Sequence, residues 1–492
     1  MNKGSDYYKV LNIPRDATQD EIRDAYFDAA RRMHPDANPD PAVREEFLSV
    51  QIAYEVLSSA QRRVAYDATL PVQLVKPAIS VNAKFSRSVL PRIEEPHLAY
   101  ALVELVCTAD PDRNNLPPMH ICVVIDNSTS MQGDRMDMVK ANVAQLLKQL
   151  RPSDFISVVS FNDRAEIVIP PTSVKDLSKL ENTISMLRTG GGTEIYKGLE
   201  VGINQLRSKL GRNSFRHLIL LTDGHTYGDE PSCLELAQQA AQDGIAISAL
   251  GIGYEWNDAF LDQLSSLSGG NALYISTPRD LNKYLEQKLS SLEMIFARNI
   301  KYEFDSDAGI EVRYAFRIYP ETGPLAINSP ICLGNIQYGK SLVVLFEFVV
   351  QPISRGVDQI RLADGRVTME IPSEDATFER LFLKLRRPVS DNPEVELPPA
   401  PIVEAMSRLT LYRLQERARQ EVETGSIQKA TKHLQYLATH LLAQGDRELA
   451  HTVLIEAEHI QQSRRFSKDG DKRIKYGTRG LLLPSGLDGG KS

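Results

Sequence analysis

The sequence lacks several features that would each indicate a particular class of protein. Its four cysteines, Cys107, Cys122, Cys233 and Cys332, are scattered and form no CxxC pair, which excludes a cysteine-based zinc module and does not indicate a disulfide framework. No apolar run reaches the roughly 18 residues of a membrane-spanning helix. The N-terminal stretch has no apolar signal core. We therefore expect a cytoplasmic protein without a membrane partner.

Motifs for catalysis and for nucleic-acid binding are also missing. The nine histidines show no HExxH or CxxCH setting, and no nucleophile is paired with a positioned base, so we expect no enzyme. The phosphate-loop pattern GxxxxGK followed by Ser or Thr does not occur. The formal net charge of −7 argues against general nucleic-acid binding.

The composition is that of an ordinary globular chain, with 42% hydrophobic and 25% charged residues. A chain of 492 residues is too long for one hydrophobic core. The length therefore predicts roughly three or four domains.

Residues 1–70 carry the pattern of a helical hairpin. Apolar residues recur at i, i+3 and i+4 in two segments: Ile22, Ala25, Tyr26, Ala29 and Met33, then Phe47, Val50, Tyr54 and Leu57. Pro35 predicts that the first helix ends at His34, and Asp40 with Pro41 predict the start of the second. Two such helices must bury their apolar faces on each other, which leaves His34, Pro35 and Asp36 in the connecting loop.

The stretches "DYYKVLNI", "AYFDAARRMHPDANPD" and "FLSVQIAYEVLSSAQRRVAYD" resemble the J domain of DnaJ-type co-chaperones over the whole hairpin. The resemblance implies that His34, Pro35 and Asp36 engage a DnaK-type chaperone and stimulate its ATP hydrolysis. The alternative is a J-like domain used only for packing.

The resemblance also implies that basic residues of the first helix meet an acidic chaperone surface. In this sequence those residues are Arg23, Arg31 and Arg32. At three further positions of this helix the family usually has Lys or Arg, whereas this sequence has Asp24, Phe27 and Asp28. We therefore expect weaker long-range attraction and slower association.

Residues 113–295 alternate strand and helix patterns. The strands "HICVVID", "FISVVSF", "HLILLTD" and "IAISALGIG" have no polar alternation, which indicates burial on both faces and hence a parallel sheet. Amphipathic helices between them predict a doubly wound α/β unit, in which ligands bind at the carboxyl ends of the strands.

Three polar loops fall at strand ends or helix starts of this unit. The oxygen-bearing residues they offer are Asp126, Ser128, Ser130, Thr193 and Asp223. Hard oxygen ligands with only two carboxylates suit Mg²⁺, although another divalent cation is an alternative. The competing interpretation is that Asp, Ser and Thr only cap the helices that follow.

The order Asp-x-Ser-x-Ser, then Thr, then Asp resembles the von Willebrand factor A domain with a metal-ion-dependent adhesion site. In that family the serines, and often the threonine, bind the metal directly, while the aspartates commonly act through water. The resemblance implies that a weakly neutralised cation attracts a carboxylate of a partner protein.

Residues 78–112 and 296–390 carry β patterns, with "ADGR" expected to be a tight turn. They resemble the β-sandwich found beside A domains in several bacterial proteins. We therefore predict one split sandwich with the A domain, residues 113–295, inserted between two of its strands. The alternative is two unrelated β segments.

Residues 400–465 predict a bundle of three amphipathic helices, and residues 466–492 predict a flexible basic and glycine-rich tail. The expected fold class is thus multidomain: an all-α J domain, an α/β doubly wound, Rossmann-like A domain in a β-sandwich, and a C-terminal helical bundle.

Two functional hypotheses follow from the resemblances. In the first, the chain is a co-chaperone adaptor whose A domain binds a protein through Mg²⁺ while its J domain stimulates a DnaK-type chaperone. In the second, the chain is a Mg²⁺-dependent scaffold without chaperone activity that works with an AAA ATPase or another assembly machine.

Overall fold

The computed structural model of the chain describes residues 7–11, 13, 17, 19–33, 41–67, 78–111, 116–208, 214–224, 228–371, 378–394 and 396–480. The predicted His34-Pro35-Asp36 loop lies outside the described residues. None of the helices in the described ranges combines the length and apolar character needed to cross a membrane.

The N-terminal unit is a helical hairpin with two short flanking helices. Its helices are α1 (Tyr7–Val10), α2 (Gln19–Met33), α3 (Pro41–Leu57) and α4 (Ala60–Asp67). The Gln19 side-chain amide donates to the Leu57 carbonyl at 3.3 Å, so the start of α2 lies beside the end of α3. The rings of Tyr26 and Tyr54 stack with centroids 4.1 Å apart. The two helices are therefore antiparallel, and α3 begins at Pro41 because the fixed φ of proline suits a first helical turn.

The central unit is an α/β layer structure. Its strands are β4 (Met119–Asp126), β5 (Phe155–Phe161), β6 (Ala165–Ser173), β7 (Phe215–Thr222), β8 (Ile245–Ile252) and β9 (Ala272–Ile275). Its helices are α5 (Asp134–Gln149), α6 (Leu177–Ser185), α7 (Ile195–Leu206), α8 (Glu230–Gln242), α9 (Asp258–Leu267) and α10 (Pro278–Glu293).

The sheet of this unit has the order β6-β5-β4-β7-β8-β9, and only the β5–β6 pair is antiparallel among the described strands. Every residue of β4 is buried, because helices cover both faces of the sheet. One hydrophobic cluster lies on each face. The four strands predicted from the sequence correspond to β4, β5, β7 and β8.

Two five-stranded sheets lie beside the α/β unit. Their strands are β1 (Ile79–Phe85), β2 (Leu90–Pro91), β3 (His97–Cys107), β10 (Ile295–Asp305), β11 (Ile310–Tyr319), β12 (Gly323–Pro324), β13 (Ile331–Gln337), β14 (Ser341–Val350), β15 (Gln359–Glu370) and β16 (Phe378–Ser390). The orders are β1-β3-β14-β11-β12 and β13-β10-β15-β16-β2. Strand β14 pairs with β3 along the whole length of β14, from Ser341 opposite Val106 to Val350 opposite His97. One hydrophobic cluster contains residues of both sheets.

The predicted tight turn at "ADGR" is wrong, because β15 continues through residues 363–366. Gly365 lies against the neighbouring strand β10, where a Cβ atom would come within 1.9 Å of the Glu303 carbonyl oxygen. The glycine therefore permits a close approach of two backbones rather than a reversal of the chain.

The C-terminal unit contains a fourth helix that the sequence did not predict. The helices are α11 (Ala400–Glu423), α12 (Ile427–Ala443), α13 (Arg447–Ser463) and α14 (Lys468–Gly480). The prediction of a flexible tail from residue 466 is thus wrong as far as residue 480, and residues 481–492 lie outside the described part. Two basic residues of α14 are buried against acids of α9: Lys475 contacts Asp258 and Asp262, and Arg479 contacts Asp262 at 2.7 Å.

Candidate metal site

The strand ends of the central sheet bring the five predicted ligands to one edge. Asp126 is the last residue of β4, and Asp223 directly follows β7. Ser128 and Ser130 lie in the turn after β4, around a short 3₁₀ helix. These strands are adjacent and parallel, so their carboxyl ends meet at the same place.

Thr193 joins this group from the loop before α7. A Cβ atom added to Gly224 would lie 3.3 Å from Thr193 Oγ1 and 3.8 Å from Asp126 Oδ2. The threonine hydroxyl and the buried carboxylate therefore both face the loop that carries Asp223. The absence of a side chain at Gly224 keeps that approach open.

Hydrogen bonds connect the serines to the second aspartate. Ser130 Oγ donates to Asp223 Oδ1 at 2.7 Å and lies 3.0 Å from Ser128 Oγ. Adjacent ligands of an octahedral Mg²⁺ with bonds of roughly 2.0–2.1 Å are about 3.0 Å apart. The spacing of the two serine hydroxyls therefore fits neighbouring positions on such an ion.

The Asp126 carboxylate is hydrogen-bonded both to the turn after β4 and to the end of β7. Its Oδ1 accepts a hydrogen bond from the Ser128 backbone amide at 2.9 Å, and its Oδ2 accepts one from Thr222 Oγ1 at 2.6 Å. The side chain is fully buried, and this burial raises the pKa of the Asp126 carboxyl to about 6. A cation held nearby would favour the ionised form.

Helix capping does not account for these side chains. Ser128 is the N-cap of the 3₁₀ helix but makes no side-chain capping hydrogen bond. Gly133 is the N-cap of α5, and Glu194 rather than Thr193 is the N-cap of α7. None of these hydroxyls is therefore used as a helix cap. Among the described residues no cluster of three or more His, Cys, Asp or Glu could hold a metal, so a metal site here would depend on the hydroxyl oxygens.

Arg135 is a residue of the site that sequence reasoning missed. Its Nη1 contacts Asp223 Oδ2, and the same nitrogen lies 3.4 Å from the Ser130 carbonyl oxygen. Both carboxylate oxygens of Asp223 are therefore engaged, one by Ser130 and one by Arg135. That arrangement fits an aspartate that acts on a metal through water rather than directly. No motif marks Arg135, since only the fold brings α5 beside the end of β7.

The site opens into a cleft of 560 Å³ that lies between two units of the fold. One side is formed by the metal-site loops and by the segment after β8. The other side is formed by residues 466–472, at the start of α14. No sequence pattern indicated this second side, because residues 466–492 were expected to form a tail.

The predicted chaperone-binding residues are only partly within the described residues. Arg23 is exposed on α2, and Arg31 and Arg32 also belong to α2. The tripeptide His34-Pro35-Asp36 is not among the described residues. The structure therefore provides the helix that precedes the loop and leaves the role of the loop to experiment.

Comparison with protein families divides the chain in the same way. The model of the DnaJ domain matches residues 6–67, and the model of the von Willebrand factor type A domain matches residues 120–287. The chain therefore contains a J domain and a von Willebrand factor A domain. A J domain implies a chaperone partner of the DnaK class, and an A domain implies binding to another protein.

A third family model, described as a Sll0103-like C-terminal alpha-helical domain, matches residues 400–484. This match extends beyond residue 465, where the sequence predicted the helical bundle to end. It includes all of α14, in agreement with the packing of that helix.

Three relatives match different lengths of the chain. The uncharacterized protein sll0103 of Synechocystis is 26% identical over 386 residues, which is 76% of this chain and 90% of the relative. The uncharacterized protein YfbK of Escherichia coli is 25% identical over 320 residues, which is 63% of this chain and 55% of the relative. The chaperone protein DnaJ of Dictyoglomus thermophilum is 53% identical over 67 residues, which is 14% of this chain and 17% of the relative. The chain thus spans about half of YfbK and less than a fifth of DnaJ.

Two solved structures share the fold over most of the chain. A von Willebrand factor type A protein from Catenulispora acidiphila has a TM-score of 0.63 at 16% identity and covers 83% of this chain and 98% of its own. The ArnB paralog VWA2 from Sulfolobus acidocaldarius has a TM-score of 0.52 at 16% identity and covers 83% of this chain and 100% of its own. Similarity at this level of identity concerns the fold alone.

Proposed function

We propose that the chain is a co-chaperone adaptor without catalytic activity of its own. In this proposal the A domain binds a protein partner through Mg²⁺, and the J domain stimulates ATP hydrolysis by a DnaK-type chaperone. The observation that carries the proposal is the convergence of the Ser128, Ser130 and Thr193 oxygens beside Asp126 and Asp223, in a chain that also contains a J domain.

Within the proposed site each residue has a distinct task. Ser128, Ser130 and Thr193 offer neutral oxygens, Asp126 holds the Ser128 loop in place, and Asp223 is oriented by Ser130 and Arg135. A divalent ion bound there would supply positive charge that neutral ligands leave largely uncompensated, and so would attract an acidic group of a partner.

On the chaperone side, we propose that His34, Pro35 and Asp36 make the essential contact and that Arg23, Arg31 and Arg32 assist association. A second candidate is the scaffold that works with an AAA ATPase or another assembly machine. The exposed Phe27 on α2, at a position where J domains usually carry a basic residue, favours this second candidate.

We also interpret the two five-stranded sheets as one β-sandwich into which the A domain is inserted. The pairing of β3, which precedes the A domain, with β14, which follows it, supports this interpretation. A frame of this kind would hold the metal site at a fixed position relative to the C-terminal helices.

ATP hydrolysis by a DnaK-type chaperone tests the proposal. We expect the full chain to increase the hydrolysis rate and His34→Gln to abolish that increase, because the tripeptide is the proposed contact. His440→Gln, on the exposed side of α12, is the matched control and should stimulate as the wild type does. Equal stimulation by wild type and His34→Gln would refute the tripeptide as the contact, and no stimulation by either protein would favour the scaffold instead.

A further inference from the structure

The cleft over the metal site has two sides from distant parts of the chain. We propose that the C-terminal helical domain forms half of the ligand site, and that Lys468 selects an extended acidic segment whose second carboxylate lies next to the one at the metal. This inference rests on the proposed metal-dependent binding. It adds the shape of the partner and a specificity-determining residue.

Helix α14 is a fixed side of the cleft because buried ion pairs hold it. Lys475 contacts Asp258 and lies 2.8 Å from Asp262, and its side chain is 5% exposed. Arg479 pairs with Asp262 at 2.7 Å and is 3% exposed. The residues at the start of α14 are therefore held beside the metal-site loops by contacts further along the same helix.

The size of the cleft indicates a narrow ligand. Its volume of 560 Å³ lies within the range of roughly 300–1,000 Å³ that is typical of small-ligand sites. Such a space holds a few residues of an extended chain. Tyr254 and Phe466 supply apolar surface on opposite sides of the cleft.

The two lysines that line the cleft differ in what they can do for a ligand. The Lys472 ammonium is buried, donates to the Trp256 carbonyl oxygen at 2.6 Å and lies 3.8 Å from the Trp256 ring centroid. The Lys468 side chain is 73% exposed, and its ammonium lies 3.4 Å from Glu255 Oε1. Lys472 is thus committed to the fold, while Lys468 is free to change partner because an exposed pair of this kind is weak.

The acidic residues that line the cleft are mostly neutralised by arginines behind them. Asp223 contacts Arg135, and Asp471 lies 2.9 Å from Arg419 Nη2. Glu255 differs, since its partner at the cleft is Lys468. A carboxylate of the ligand would therefore compete with Glu255 for Lys468.

The position of the two sides also predicts the spacing of acids in the ligand. Successive side chains of an extended segment point in opposite directions. A segment that lies between the metal loops and α14 would point one acidic side chain to the metal and its neighbour to Lys468. The preferred ligand is therefore a segment with two consecutive acidic residues.

Fluorescence anisotropy on the full chain with Mg²⁺ tests this inference with two labelled probes. The first probe is the peptide Gly-Gly-Asp-Glu-Gly-Gly, and the second has Gln in place of Glu. We expect the first to bind roughly fivefold more tightly, the order of one exposed ion pair. Lys468→Glu should remove this preference, and Glu255→Gln should increase it. The control Lys429→Glu, exposed on α12, should leave it unchanged.

The outcomes separate this inference from the proposed function. Calorimetry with Mg²⁺ alone that detects no binding to the wild type would refute the metal site itself. Binding of Mg²⁺ without binding of the first probe, or equal affinity for both probes, would overturn the inference and leave the metal site intact. The inference is also overturned if Lys468→Glu keeps the preference of the wild type.

Discussion

Ser130 has a central place in the candidate metal site because its hydroxyl is shared between two neighbours. It lies 3.0 Å from Ser128 Oγ and 2.7 Å from Asp223 Oδ1. A hydroxyl oxygen can coordinate a cation through a lone pair while its O–H group donates a hydrogen bond to a carboxylate. A carboxylate at the same position would neutralise more of the charge on which the proposed partner depends.

Replacement of Ser130 by Ala is expected to abolish Mg²⁺ binding while the fold persists. A ligand at about 100 times its Kd stabilises a folded domain by about 2.7 kcal/mol, which corresponds to roughly 5–10 °C for a domain of this size. Mg²⁺ should therefore raise the unfolding temperature of the wild type and not that of Ser130→Ala. The control Ser290→Ala, exposed on α10, should respond as the wild type does. An unchanged shift in Ser130→Ala would exclude Ser130 as a ligand.

At the scale of elements, two strands of the central sheet bury histidines, each of which contacts one serine hydroxyl of a neighbouring strand. His120 of β4 contacts Ser157 Oγ at 2.8 Å, and His217 of β7 contacts Ser248 Oγ at 3.1 Å. Burial lowers the pKa of His120 from 6.5 to about 4 and that of His217 well below 6.5. The His120 imidazole is therefore neutral in the folded protein at pH 5, where the unfolded chain would protonate it.

This difference makes the stability of the A domain depend on pH. The unfolded chain binds more protons than the folded one below pH 6.5, so stability is present above that value and decreases as the pH falls toward 4. For His120 alone the loss between pH 7 and pH 5 is about 2 kcal/mol. Urea unfolding of His120→Asn should show a decrease smaller by that amount, whereas His440→Gln on α12 should decrease as the wild type does. Equal losses in His120→Asn and wild type would contradict the assigned pKa.

The sequence predicts those elements whose hydrophobic periodicity matches their burial in the fold. The four Val/Ile/Leu-rich strands of the A domain and the hairpin of the J domain have unmistakable periodicity. Strand β6 was not predicted because it contains Pro170 and Pro171, which only an edge strand tolerates. Helix α14 was not predicted because its polar residues suggest a solvated tail, and their acidic partners lie more than 200 residues away.

The candidate metal ligands could be named in advance because they form a motif with fixed order. Arg135 and Lys468 could not, since each becomes part of the site only through tertiary packing. The same limit applies to the shape of the cleft, which depends on two units of the fold meeting. Sequence patterns identify the chemistry at the strand ends but not what covers it.

At the scale of the whole molecule, a buried charge network joins the A domain to the C-terminal helices. Asp258 of α9 accepts from Arg419 of α11 at 2.7 Å and contacts Lys475 of α14. Asp262, one turn further along α9, pairs with Lys475 and Arg479. Removal of Asp262 would take away the acid with which the buried Arg479 guanidinium pairs, and leaving a buried charge uncompensated is more costly than the pair is favourable.

Asp262→Ala is therefore expected to release α14 from the A domain. Loss of one partner of a buried pair costs about 3–5 kcal/mol, enough to expose the segment around residues 464–479 to trypsin under native conditions. Cleavage there should be faster than in the wild type. The control Asp243→Ala breaks a half-exposed pair with Arg207 and should leave the cleavage rate unchanged. Equal protection of Asp262→Ala would show that the network does not hold the helix.

The pairing of β3 with β14 also has a mechanical consequence. The A domain is connected at its two ends to β3 and β10, and each of these strands is hydrogen-bonded within a five-stranded sheet. A force on the A domain would thus be transmitted to strands that are hydrogen-bonded into both five-stranded sheets. In the proposed adaptor, tension on a partner bound by the A domain would therefore reach both sheets of the frame rather than one.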